Sequence, residues 1–151
     1  MLQFKRETYQ TLAEDIKTLM TRHHRELALH QDSIPLNPDW EFYERLDNLG
    51  FLIPISARNE AGVLRGYAVY LMKEHPHYKT NSWAISDMFW LDPEERNIGN
   101  GRLLFETVEN ELKRLGVSVM HTTLKSSHPA AKYLLESMGH ELVEYGLSKR
   151  L

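Results

Sequence analysis

Apolar residues recur at helical spacing at Leu12, Ile16, Leu19, Met20 and Leu27 inside a polar background, which predicts an amphipathic helix over about residues 8 to 30. The apolar start at Leu2 to Phe4 fits a short first strand. Two prolines break the pattern between Asp32 and Pro38. There Asn37-Pro38 pairs a capping residue with a proline at a first helical position, predicting a second short helix that carries Trp40, Tyr43 and Leu46.

The period then changes. Phe51 to Ser56 reads as a strand, Asn59-Glu60-Ala61-Gly62 as a turn, and Val63 to Met72 as a second strand buried on both faces. Pro54 predicts an edge or bulged position for the first of these. A polar loop leads to Ser82–Leu91, a third apolar run. Beyond a glycine-containing turn, Leu104, Val108, Leu112 and Leu115 mark a helix that Gly116 stops. Val117 to Leu124 predicts a further strand, Ser127-His128-Pro129 opens a helix that Gly139 closes, and His140 to Leu147 predicts a last strand. The sum is one α/β domain (α+β) over residues 1–151 with a mixed sheet, antiparallel across hairpins and parallel where a helix crosses over.

Composition narrows the chemistry. The 151 residues contain no cysteine, which excludes thiol nucleophiles, disulfides and thiolate-ligated zinc. Eighteen Lys plus Arg against twenty-one Asp plus Glu give a net charge of -3, without the basic excess expected of a nucleic-acid binder. Neither a signal peptide nor a membrane span is expected, and the cytoplasm is the expected compartment. His23-His24 and His75-Pro76-His77 lack the spacing of a metal site, and no metal is expected.

The most informative stretch is Leu91-Asp92-Pro93-Glu94-Glu95-Arg96-Asn97-Ile98-Gly99-Asn100-Gly101-Arg102, where a buried strand runs into a glycine loop that opens a helix. Unpaired N–H groups at a helix start favour an anion, so this loop is a candidate phosphate site. Gly99 and Gly101 are expected to let the backbone approach a pyrophosphate. A dinucleotide fingerprint would need glycine at Leu104, and a P-loop would need Lys-Ser/Thr at Arg102-Leu103; neither is present.

The pattern Arg/Gln-x-x-Gly-x-Gly/Ala does fit, at Arg96, Gly99 and Gly101. With the Leu-Asp-Pro-Glu-Glu-Arg lead-in and the Leu134-Leu135-Glu136-Ser137-Met138-Gly139 helix ending, the chain from Phe51 onward resembles the GNAT family of N-acetyltransferases. The resemblance implies a mostly antiparallel sheet with two splayed central parallel strands, flanked by about four helices. It also implies acetyl-CoA in the gap between Ser82–Leu91 and Val117 to Leu124. Phe89, Trp90 and Leu91 would offer backbone groups to the pantetheine arm. The amides of Asn97, Ile98, Gly99, Asn100, Gly101 and Arg102, with Arg96, would hold the pyrophosphate, and His128 would touch the cofactor. Trp40 and Tyr43 are the expected acceptor-site residues.

An amine acceptor arrives as an ammonium with a pKa of about 10, so a base must take a proton before attack. Asp87 is the candidate, the carboxylate of an otherwise apolar strand, expected on one face with Ile85, Phe89 and Leu91. The family's commonest carboxylate position falls at Ile85, so Asp87 is displaced by two residues. The family's usual tyrosine acid falls at Leu135; Tyr133 is the substitute considered, although it points about 200° away on a helix. The leading function is acetyl transfer to a primary amine of a small molecule or a protein, by an enzyme that relatives suggest is a homodimer. The alternative is a GNAT-fold binding protein with little or no activity.

Overall fold

The computed structural model describes residues 1–149, the side chain of Ile98 excepted. Its sheet has five strands in chain order, β1 (Gln3–Arg6), β2 (Leu52–Arg58), β3 (Leu64–Glu74), β4 (Ser82–Leu91) and β5 (Val119–His121). The first four are antiparallel neighbours and β5 joins β4 in parallel. Four helices flank it: α1 (Tyr9–Leu27), α2 (Trp40–Asn48), α3 (Ile98–Arg114) and α4 (Pro129–Ser137). A 3-10 turn at Pro93–Glu95 links β4 to α3.

Each face of the sheet carries its own core. Ile53, Ile55, Tyr70, Ala84 and Leu91 pack against Leu104, Val108 and Leu112 of α3. Leu52, Tyr67, Val69 and Trp90 pack against Leu12, Ile16 and Met20 of α1. The period-4 stripe of α3 is thereby accounted for: every apolar position in it faces one sheet surface. Among the described residues, no helix is long and apolar enough to cross a membrane.

Several boundaries differ from the sequence reading. Helix α1 ends at Leu27, and Ala28 caps it by donating its N–H to His24 O. The second helix begins at Trp40 with Asp39 as its cap, its carboxylate accepting from Phe42 N at 2.9 Å, so Asn37-Pro38 lies outside it. Strand β2 is interior, although Pro54 predicted an edge. Pro54 O accepts from Glu7 N at 3.1 Å, so the proline nitrogen faces the same side, beyond Arg6↔Ile55 where β1 ends. No ladder donor is needed there.

The expected strand Val117 to Leu124 shrinks to three residues, and His140 to Leu147 forms no strand at all. In that last segment Leu142, Val143, Tyr145 and Leu147 are exposed, so the alternation there buries nothing. The shortening of β5 has a local cause. After Ile85↔His121 the two strands part, and Thr123 N bonds the Ser86 hydroxyl at 2.8 Å instead of a backbone carbonyl.

Candidate active site

Where β4 and β5 separate, a cleft of about 810 Å³ opens, within the range of small-molecule and cofactor sites. On one side it is lined by β4 from Asp87 to Leu91, by Gly101, Leu104 and Phe105 of α3, by Thr123 to Lys125, and by α4 residues including Leu134. On the other it is lined by α1 and by the segment running from Ala28 to Pro38. From Ser86 onward β4 has no strand partner on its β5 side, so backbone polar groups there border the cleft.

A bulge sets the position of Asp87. The β3–β4 ladder runs Tyr70↔Ser86 and then Val69↔Met88, leaving Asp87 without an opposite residue. An extra residue reverses the side-chain alternation. Ala84 packs on the α3 face before the bulge, and Phe89 and Leu91 do so after it. Asp87 therefore does not share a face with Phe89 and Leu91, as simple alternation predicts. It projects to the α1/α2 side, where Tyr43 of α2 donates to its Oδ2 at 2.7 Å.

Asp87 is reached by water through the cleft mouth yet ringed by protein. Burial raises its pKa above the ordinary carboxylate value, and the Tyr43 hydrogen bond partly offsets that rise. The Tyr43 hydroxyl is pushed up by its own burial and by the hydrogen bond to Asp87, so it stays protonated and donates. Trp40 does not line the cleft; its ring packs 6.0 Å from that of Tyr43, which in turn stacks on Tyr9 at 6.2 Å. The aromatic pair singled out in the sequence is thus a contact residue and its support.

The glycine loop is narrower than expected as an anion site. Asn97 caps α3 through its side chain, which accepts from Asn100 N at 2.8 Å, and Gly101 N donates to Asn97 O at 3.0 Å. Those amides, and that of Arg102 within the helix, are already engaged, which leaves the first two amides of α3, at Ile98 and Gly99, without intrahelical acceptors. Gly101 serves packing: a Cβ there would lie 2.8 Å from Leu134 Cδ2, so glycine lets α4 approach α3. The Asn100 side chain turns to Glu95 O at 2.9 Å, and the Arg102 guanidinium turns to Ser137 at 3.1 Å.

The Arg96 side chain is also committed. It forks onto Glu26 of α1, with Nη2 at 2.6 Å from Oε2, donates from Nε to Leu91 O at 2.9 Å, and lies 5.7 Å from the Trp90 ring. Trp90 donates to the same Glu26 carboxylate at 2.9 Å. The Arg96 guanidinium leads the causes that hold Glu26 down to about 2. Arg96 therefore pins the loop to α1 and to the end of β4, and the adjoining Asp92 is pinned likewise by Arg22 at 3.0 Å. His128 lines the cleft at the start of α4, its side chain making no capping bond.

Tyr133 is 67% exposed and lies outside the cleft, because its helical position turns it to solvent while Leu134 faces inward. That removes it as a proton donor. Leu135 is buried. Two residues that the sequence did not single out for this site belong to it, Glu26 and His23. His23 lines the cleft, shares a 2.7 Å hydrogen bond with the Tyr67 hydroxyl, and is pushed down to about 4 by burial. The histidine pair was visible in the sequence, but only a three-dimensional contact with Tyr67 separates a neutral packed imidazole from a metal ligand. Among the described residues, no group of three or more His, Asp or Glu side chains could hold a metal ion.

The family model described as the Acetyltransferase (GNAT) family matches residues 13–140. The chain belongs to that family, acyltransferases whose acetyl donor is acetyl-CoA. No curated protein sequence matches it significantly. Solved structures show the same fold at low identity. A ribosomal-protein-alanine N-acetyltransferase from Brucella melitensis is 14% identical, with 100% of this chain and 99% of that one covered and a TM-score of 0.73. A protein from Clostridium acetobutylicum described as a predicted acetyltransferase, solved with acetyl-CoA, is 12% identical over 99% and 96% of the two chains, with a TM-score of 0.75. Glucosamine-6-phosphate N-acetyltransferase from Arabidopsis thaliana is 11% identical over 99% and 98%, with a TM-score of 0.73.

The donor set fits acetyl-CoA. The β5-side edge of β4 from Ser86 onward suits a peptide-like arm, the first amides of α3, which have no intrahelical acceptor, suit a pyrophosphate, and the cleft has the volume of a cofactor site.

Proposed function

We propose that this chain transfers the acetyl group of acetyl-CoA directly to a primary amine held beside Asp87. The cofactor supplies an acetyl group activated as a thioester, and the amine takes it with release of the thiol. The observation that carries the reading is the bulge, which aims a carboxylate of raised pKa into the cleft at the point where β4 loses its partner strand.

In this reading β4 and the start of α3 would hold the cofactor: the strand edge from Phe89 to Leu91 would orient its arm, and the first amides of α3 would meet its anionic end. Asp87 pairs with the incoming ammonium and accepts its proton, directly or through a water. The Tyr43 hydroxyl fixes the carboxylate and keeps its pKa from rising further. Because a thiol has a pKa of about 8 to 9, CoA would leave as its thiolate without a side-chain acid, and the buried Leu135 would need no catalytic replacement. Because the chain has no cysteine, the acetyl group cannot pass through an enzyme thiol.

Two measurements test this. Acetyl-CoA at about 100 times its dissociation constant should stabilise the fold by about 2.7 kcal/mol, a shift of several degrees in melting temperature. A panel of amines should then release free CoA. No shift and no release would overturn the reading.

A further inference from the structure

The cleft wall formed by the end of α1 and the segment 28–38 has an uneven chemistry. Leu27, Leu29, Ile34, Pro35 and Leu36 line it, and Leu29, Ile34 and Leu36 remain 61%, 54% and 40% exposed. An apolar surface left this wet inside a cleft gains from an apolar occupant.

Charge on the cleft lining points the same way. Among the described lining residues two are carboxylates, Glu26 and Asp87. Glu26 is taken by the Arg96 fork and by Trp90, which leaves Asp87, bonded to a neutral phenol, as the carboxylate without a cation. The same fork takes Arg96, His23 is neutral at ordinary pH, and the other Lys or Arg among the described lining residues is Lys125.

We propose that the acceptor is a primary amine whose reacting ammonium is its one positive charge and whose body is apolar. This rests on the amine-transfer reading above. One ammonium meets one available carboxylate. A second ammonium on the acceptor would be set against Leu29, Ile34 and Leu36 with nothing to pair it, and burying an unpaired charge there is costly.

The test compares n-hexylamine with 1,6-diaminohexane, which share length and reacting group and differ in the second ammonium. A thiol reagent follows CoA release, and with no cysteine in the chain it reads CoA alone. The expected result is a kcat/KM for hexylamine at least about tenfold above that for the diamine. Ile34→Glu, placed on an exposed loop position where the fold should tolerate it, adds a second carboxylate and should narrow or reverse that ratio at an unchanged melting temperature. A tripeptide amide of apolar residues tests the same chemistry from a macromolecular source, and preference for it over the diamine supports the proposal equally. A diamine that matches or exceeds hexylamine in the unaltered protein overturns it while acetyl transfer to amines stands. No transfer to any amine, with acetyl-CoA bound, overturns the amine-transfer reading and this inference together.

Discussion

The Tyr43 hydroxyl on α2 donates a 2.7 Å hydrogen bond to Oδ2 of Asp87, the residue that the β4 bulge leaves without a partner. Forty-four positions apart in sequence, the two meet because α2 packs beside the face onto which the bulge turns Asp87. The bond opposes the effect of burial on the carboxyl group: burial raises the pKa of Asp87 and the phenol lowers it.

Tyr43→Phe keeps the ring and removes that lowering effect. The pKa of Asp87 should rise further, so the acidic limb of the kcat/KM profile against pH moves to higher pH. An unshifted limb would disconnect the phenol from the titrating group.

Glu26→Gln releases the Arg96 guanidinium, which holds the loop before α3 against α1 and Trp90. Chemical denaturation should show a loss of about 1–2 kcal/mol, since one partner of a partly exposed, charge-assisted network is removed. Acetyl-CoA should also bind more weakly, because the loop that positions the first amides of α3 is no longer fixed.

His23 gives the fold a pH dependence in a window of its own. Its pKa falls from an ordinary 6.5 to about 4, so between those values the unfolded chain binds more protons and stability drops as pH falls. At about 1.4 kcal/mol per unit the loss is at most about 3 kcal/mol, less where water in the cleft screens the charge. Glu7, Glu26 and Asp92, whose values are lowered, withdraw their contributions only as pH falls below the usual carboxylate range. Asp87, whose value is raised, acts in the opposite sense. His23→Gln should flatten the stability profile between pH 6.5 and 4.5, and parallel profiles would contradict the assignment.

Periodicity made α1, β3, β4, α3 and α4 legible, because each helix buries one stripe and each strand is covered on both faces by the two cores. Failures came where a contact between distant residues decides. Pro54 sits inside the sheet because β1 stops one pair short of it. The tail from His140 alternates like a strand but has no neighbour to pair with. At the candidate site, Asp87 stood out as an acid in an apolar run. Its facing did not, since an inserted residue leaves no mark in the alternation until the partner register is known. Arg96 matched the cofactor motif by type, yet its side chain is bound to Glu26, seventy positions earlier.

Asp87→Asn tests the central claim most directly. The variant keeps the size of the side chain and removes the charge that burial disfavours, so its melting temperature should not fall at neutral pH. Measured with a saturating amine and with acetyl-CoA titrated by calorimetry, transfer should slow by at least about 100-fold while cofactor affinity is unchanged. Transfer at the unaltered rate would contradict the assignment of Asp87 as the group that holds and deprotonates the acceptor.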